Sequence, residues 1–236
     1  NPLMQTYISV TLGNLMPKFT DIAKDIKHVD TKVTRAKDDA NVALTAANGN
    51  LLVGVNGRIV ALNPDNGAPL GETLLAQARG SNALSQVIDL MAPASRQGNS
   101  LCARAFQATV GCVDVSNANV RWTQNSKGSD GIDGDEQSVF GAESNGTVQA
   151  WRRTDGERLW SVDKLQYRKL TAPLVLGRSV VLADDLGTVH MLSREDGSAL
   201  ARLETDKAGV ATSPVVAANT LVIVSRSGTV YGFKPD

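Results

Sequence analysis

Gly146-Thr147-Val148 recurs as Gly187-Thr188-Val189 and again as Gly228-Thr229-Val230, two steps of 41 residues. The same step carries Asp155-Gly156 onto Asp196-Gly197, Ala172-Pro173 onto Ser213-Pro214 and Leu174-Val175 onto Val215-Val216. A repeat this short is one supersecondary unit that cannot bury its apolar face alone, so neighbouring copies must stack. The copy from Pro173 to Leu203 divides into four short β-rich runs, broken at Gly177-Arg178, at Asp184 to Gly187 and at Glu195 to Gly197. Four strands of four to six residues in about 40, separated by Gly, Asp and Asn turns, are the signature of a β-propeller blade. Asn145-Gly146 is then the turn between strands two and three, and Asp155-Gly156 the turn between strands three and four.

Weaker copies lie upstream, at Asn56 to Gly67 and Gln107 to Asn117, so residues 49–236 hold about five blade units, the last from Ser213 to Phe233. Trp160 closes strand four of its unit and Trp122 holds the matching place in the preceding one, where both are expected to anchor one blade on the next. Gly71 and Ala201 stand at that place in two other units.

Residues 1–48 have a different pattern. Ile8 to Leu12 alternates like a strand. Beyond Pro17, apolar residues fall at Phe19, Ile22, Ile26, Val29, Val33, Ala36, Ala40 and Ala43, a heptad stripe that predicts a long amphipathic helix ending at Asn48-Gly49. The stripe needs a partner: the propeller, a second copy, or another protein. The fold class expected is mainly β, a partial propeller of four-stranded antiparallel blades, with this N-terminal strand and helix as a separate unit.

Charge excludes some functions. The 24 basic and 24 acidic residues cancel, which gives no general attraction to nucleic acid or to an anionic membrane. No apolar run approaches the roughly 20 residues of a spanning helix. Near Asn1 there is no leader and no lipid-acceptor cysteine, so a targeting segment is expected to have been removed or to lie outside this sequence. Cys102 and Cys112 flank a hairpin-like segment, readable either as a cross-strand disulfide or as two buried thiols.

Little points to catalysis. The two histidines, His28 and His190, read as surface or satisfied core, and there is no zinc spacing, phosphate loop or nucleophile elbow. Asp130, Asp133, Asp135 and Glu136 crowd one loop, but their spacing misses the calcium-loop order, so a solvated acidic loop is expected and no metal. The longest link between units, Gln77 to Leu90, carries Arg79, Asn82 and Asp89, the candidate partner-binding residues, because loops longer than a fold requires tend to hold binding function.

Four stretches together resemble the BamB family of outer-membrane assembly proteins: Asn99 to Asp114 with its two cysteines, Gly146 to Trp160, Tyr167-Arg-Lys-Leu-Thr-Ala-Pro173 with the residues to Leu176, and Leu192 to Gly197. The resemblance covers about residues 50–236 and leaves the first 48 unmatched. It implies an eight-bladed quinoprotein-like propeller, a periplasmic lipoprotein held at the outer membrane, acting as a scaffold and not an enzyme, without cofactor. Its implied partners are the POTRA domains of BamA, other subunits of the assembly machinery and unfolded outer-membrane proteins, which would be held by strand addition. It also implies a disulfide between Cys102 and Cys112 and a partner-binding role for Asp89. The family's apolar, Arg-bearing loop one blade earlier has no counterpart in this reading. Two other functions fit parts of the sequence. One is a coiled-coil docking module carrying a partial propeller. The other is a quinone-dependent dehydrogenase, for which the chain offers few aromatic residues.

Overall fold

The computed structural model describes residues 42–47, 50–77 and 88–234. They form five antiparallel sheets, four of four strands and one of three. The first holds β1 (Val42–Ala47), β2 (Asn50–Val55), β3 (Arg58–Leu62) and β4 (Pro69–Leu74). The second holds β5 (Leu90–Gln97), β6 (Ser100–Ala105), β7 (Thr109–Asp114) and β8 (Asn119–Asn125). In the third, β9 (Asp133–Gly134), β10 (Ser138–Ala142), β11 (Val148–Arg152) and β12 (Arg158–Val162) follow in order. The fourth contains β13 (Leu174–Leu176), β14 (Ser179–Ala183), β15 (Thr188–Ser193) and β16 (Ala199–Glu204). The fifth has β17 (Val215–Ala217), β18 (Thr220–Val224) and β19 (Val230–Phe233).

Each sheet is a meander, and the first strands of successive sheets touch: β1 meets β5, β5 meets β9 and β9 meets β13. Consecutive blades therefore stand around a common axis with their first strands innermost, the arrangement of a propeller. The middle strands β6, β10 and β14 are buried at every position, because sheets cover both faces. Apolar clusters fill the spaces between blades. Leu52, Ile59, Leu90 and Leu101 join the first blade to the second. Phe140, Val148, Val180 and Leu182 join the third to the fourth, and Val181, Val189, Leu221 and Ile223 join the fourth to the fifth.

The first strand changes one expectation. Val42–Ala47 pairs with β2 in antiparallel register, Ala47 opposite Asn50, so the tail of the expected helix is strand and the propeller begins at or before residue 42. Ala43, the last residue of the heptad stripe, fits a pleated strand once a neighbour supplies its hydrogen bonds, and tertiary pairing overrides its helical preference. The rest of the stripe, Ile8 to Leu12 and His28 lie outside the described residues. No helix among the described residues is long and apolar enough to cross a membrane.

Candidate functional site: the blade joints and the loop end

The tryptophans act between blades. Trp122 Nε1 donates to the Arg153 carbonyl at 2.8 Å, and Trp160 Nε1 to the Arg194 carbonyl at 2.9 Å. Each ring covers the turn glycine of the next blade: a Cβ on Gly156 would come within 2.4 Å of the Trp122 ring, and one on Gly197 within 2.8 Å of Trp160. Both glycines also have positive φ, 76° and 73°, so the turn and the close approach require the same residue type. In the first blade, where Gly71 replaces the tryptophan, Thr73 reaches across and donates its hydroxyl to the Ala118 carbonyl at 2.9 Å.

Between the second and third blades lie two buried guanidinium groups that the sequence did not signal. Arg104, on β6, donates to the carbonyls of Ala142 at 2.7 Å and Asp130 at 3.2 Å and pairs with Glu143 at 3.5 Å. Its Nε is buried without a hydrogen-bond partner, and its charge lies 6.0 Å from the centre of the Trp151 ring. Arg153 reaches the opposite way. It donates to Ser95 Oγ at 2.5 Å, to the Ser95 carbonyl at 3.4 Å and toward Cys102 Sγ at 3.1 Å, while its Nε holds the Asp135 carbonyl. Burial lowers both guanidinium pKa values, and nearby Glu143 and Asp130 for Arg104, or Asp135 and Asp133 for Arg153, oppose the shift.

Cys102 and Cys112 stand opposite each other across β6 and β7 and are joined in a disulfide. The bridge is buried with Val110, Trp122, Ile132, Val139 and Trp151. It therefore belongs to the seam that Arg153 closes.

The acidic loop is part of these joints and not a solvated turn. Asp133 Oδ2 accepts the Val175 N–H at 2.7 Å, and Asp135 pairs with Arg194 at 2.7 Å, so both tie the third blade to the fourth. Burial raises the Asp133 pKa above the ordinary carboxylate value despite its two backbone hydrogen bonds. No cluster of three metal-ligating side chains occurs among the described residues.

One repeat position closes each later joint with different chemistry. Glu143, Asp184 and Ser225 lie 41 residues apart at the ends of β10, β14 and β18. Glu143 accepts Ser126 Oγ at 2.9 Å. Asp184 accepts from Arg168, and its Oδ2 lies 2.9 Å from Nε2 of the buried His190. Ser225 donates to Asp206 at 2.7 Å. His190 is thus a satisfied core histidine, as expected, and its neighbour in the repeat is a structural carboxylate.

The segments linking one blade to the next share an end of the molecule with the turns between strands two and three. Tyr167 N–H bonds the Asn145 carbonyl at 2.8 Å, and Thr205 N–H bonds the Gly187 carbonyl at 2.9 Å. Asp89 lies at this end, half-buried, its carbonyl accepting the Phe106 N–H at 2.8 Å. Arg79 and Asn82 lie outside the described residues, so the structure does not bring the three candidate residues together.

Meandering four-stranded blades around a common axis, sewn by tryptophan-on-glycine docking, define a repeat-built β-propeller. The family model for the outer membrane protein assembly factor BamB matches residues 26–162, more than half of the chain. The chain belongs to that family. The match begins inside the heptad stripe, some way before the residue near 50 at which the resemblance in sequence starts.

The BamB of Burkholderia pseudomallei is 36% identical over 126 residues, which cover 53% of this chain and 33% of that protein. The BamB of Alkalilimnicola ehrlichii is 30% identical over 128 residues, 54% of this chain and 33% of that one. The crystal structure of BamB from Moraxella catarrhalis superposes with a TM-score of 0.74 at 27% identity, covering 81% of this chain and 58% of that one. The chain thus spans about a third of the length of the curated relatives it matches.

Proposed function

We propose that this chain is the propeller part of a non-enzymatic periplasmic scaffold for outer-membrane protein assembly, and that it docks POTRA domains of a BamA-type subunit on the end carrying Asp89. The family match over residues 26–162 carries the reading. The chemistry of the joints supports it: the buried acids and arginines hold blades together, His190 is bonded to Asp184 within its own blade, and the groups a reaction would need are engaged in structure. The buried disulfide suits an oxidising compartment such as the periplasm. Asp89 is the proposed anchor because it is a partly exposed carboxylate at the start of an inner strand, on the end formed by the linking segments.

The test is a titration of labelled POTRA domains against the parent protein and against Asp89→Arg. Binding by the parent and loss in the variant is the expected result. No binding by the parent sinks the docking role of this chain, and equal binding by both moves the site away from Asp89.

A further inference from the structure

Of the two arginines buried between the second and third blades, one has an anion and the other does not. Arg104 pairs with Glu143 at 3.5 Å. Arg153 is also buried and forms no ion pair among the described residues. Every acceptor its guanidinium reaches is neutral: the carbonyls of Asp135, Ser95 and Ser100, the Ser95 hydroxyl and Cys102 Sγ. A cation removed from water without a counter-ion is costly, and it favours ionisation of any acid beside it.

Only one of those acceptors can ionise. Cys102 Sγ lies 3.1 Å from Arg153 Nη1 and 3.8 Å from Ser100 Oγ, so two donors already face it. Cys112, opposite it across the ladder, receives no such donor among the described residues. The other charges around the pair are engaged elsewhere. Asp135 pairs with Arg194, Asp133 accepts the Val175 N–H, Arg121 on β8 pairs with Asp114, and Arg104 on β6 holds Glu143.

We infer that Cys102 and Cys112 are a redox-responsive pair whose charge Arg153 places: reduction by a dithiol leaves a Cys102 thiolate against the guanidinium and a protonated Cys112. The dithiol gives two electrons to the S–S bond, which breaks, and its own sulfurs join in a new disulfide. Of its two protons, one goes to Cys112 and the other to solvent, because Cys102 stays ionised. Reduction thereby exchanges a covalent link inside the second blade for an ion pair between the second and the third, so the joint keeps a tie in either state. The inference does not depend on the contact proposed at Asp89.

The experiment brings the full chain to equilibrium with reduced and oxidised dithiothreitol, from both directions, between about pH 6 and 8, where ordinary thiols remain mostly protonated. The reduced fraction is read by alkylation in denaturant and mass. One proton released per reduction makes the equilibrium constant rise about tenfold for each pH unit, whereas two retained thiol protons leave it flat. Arg153→Lys should keep the rise. Arg153→Met should flatten it and favour the disulfide by about tenfold or more at the upper pH. Asp133→Asn should leave the rise unchanged, which separates the thiolate from titration of that buried carboxylate. Circular dichroism checks that each variant is folded. Single-cysteine proteins keep the test decisive if Arg153→Met does not fold: with Cys112→Ala, thiolate absorbance from Cys102 should persist below about pH 7, and with Cys102→Ala, Cys112 should stay protonated to about pH 8. The proposal is overturned if the parent shows no rise, if a folded Arg153→Met rises as the parent does, if Asp133→Asn abolishes the rise, or if Cys112 is the sulfur that ionises.

Discussion

The joint between the second and third blades and the joint between the fourth and fifth solve one geometric problem with opposite chemistry. In the former, Arg104 and Arg153 cross in opposite directions, both fully buried, beside a disulfide and under a tryptophan. In the latter, one partly exposed carboxylate, Asp206, collects hydroxyls from Ser225 at 2.7 Å, Ser227 at 2.5 Å and Tyr231 at 3.3 Å over an aliphatic cluster. A buried charge cannot return to water when its partners are removed, whereas a hydroxyl at a wet seam exchanges one partner for another. The repeat thus specifies how a blade folds but leaves open what holds it to the next, and the two joints should fail differently.

The largest contrast is expected from Arg153→Ala, which leaves the Ser95 and Cys102 groups and the neighbouring acids without their cation and should cost about 3–5 kcal/mol in chemical denaturation. A loss below 1 kcal/mol would mean that water fills the seam and that the two joints are alike. Replacing both cysteines by alanine should cost about 2–3 kcal/mol, chiefly by freeing a short loop in the unfolded chain, and should sensitise the second and third blades to proteolysis before the fifth.

A third prediction concerns acid. Burial lowers the His190 pKa below the ordinary imidazole value. Burial would raise Asp184, but bonds from His190, Thr188 N–H, Arg168 and Leu186 N–H bring it below the ordinary carboxylate value. Both groups bind fewer protons folded than unfolded. Their stabilisation is therefore complete above the imidazole value of about 6.5 and is lost as pH falls, first through His190 and then below about 4 through Asp184. Stability against urea at pH 7.5, 5.5 and 3.5 should show both steps, and His190→Gln, which installs the residue found 41 positions earlier at Gln149, should remove the upper one. The smallest effect is expected at the fifth blade: Tyr231→Phe should cost about 1 kcal/mol or less, because Asp206 keeps its two serine donors.

Much of the propeller was legible. Turn glycines and β-rich runs recur at a fixed step, and local backbone preference agrees with them, so the fourth blade's strands fall where the turns at Gly177, Gly187 and Gly197 put them. The tryptophans were legible as anchors because a large apolar side chain at a strand end has few other uses. The heptad reading misled at Val42–Ala47, since alanine and valine at that spacing fit a helix until β2 lies alongside. The buried arginines left no trace: each is one Arg among 24 basic residues, and only the fold shows that another blade covers it. For the proposed docking end, Asp89 was legible as a loop acid, whereas Arg79 and Asn82, named with it, lie outside the described residues.

The register shift between strands three and four recurs in all four complete blades, at Ala61/Leu62, Cys112/Val113, Ala150/Trp151 and Met191/Leu192. It puts an unpaired residue in the outermost strand, namely Leu70, Arg121, Leu159 and Leu200. Those strands are the free edges of their sheets, and each is kinked near its beginning. A foreign strand laid along such an edge loses register after two or three residues. The outer rim of the blades is therefore a poor template for continuous strand addition, whether by a second copy or by another extended chain.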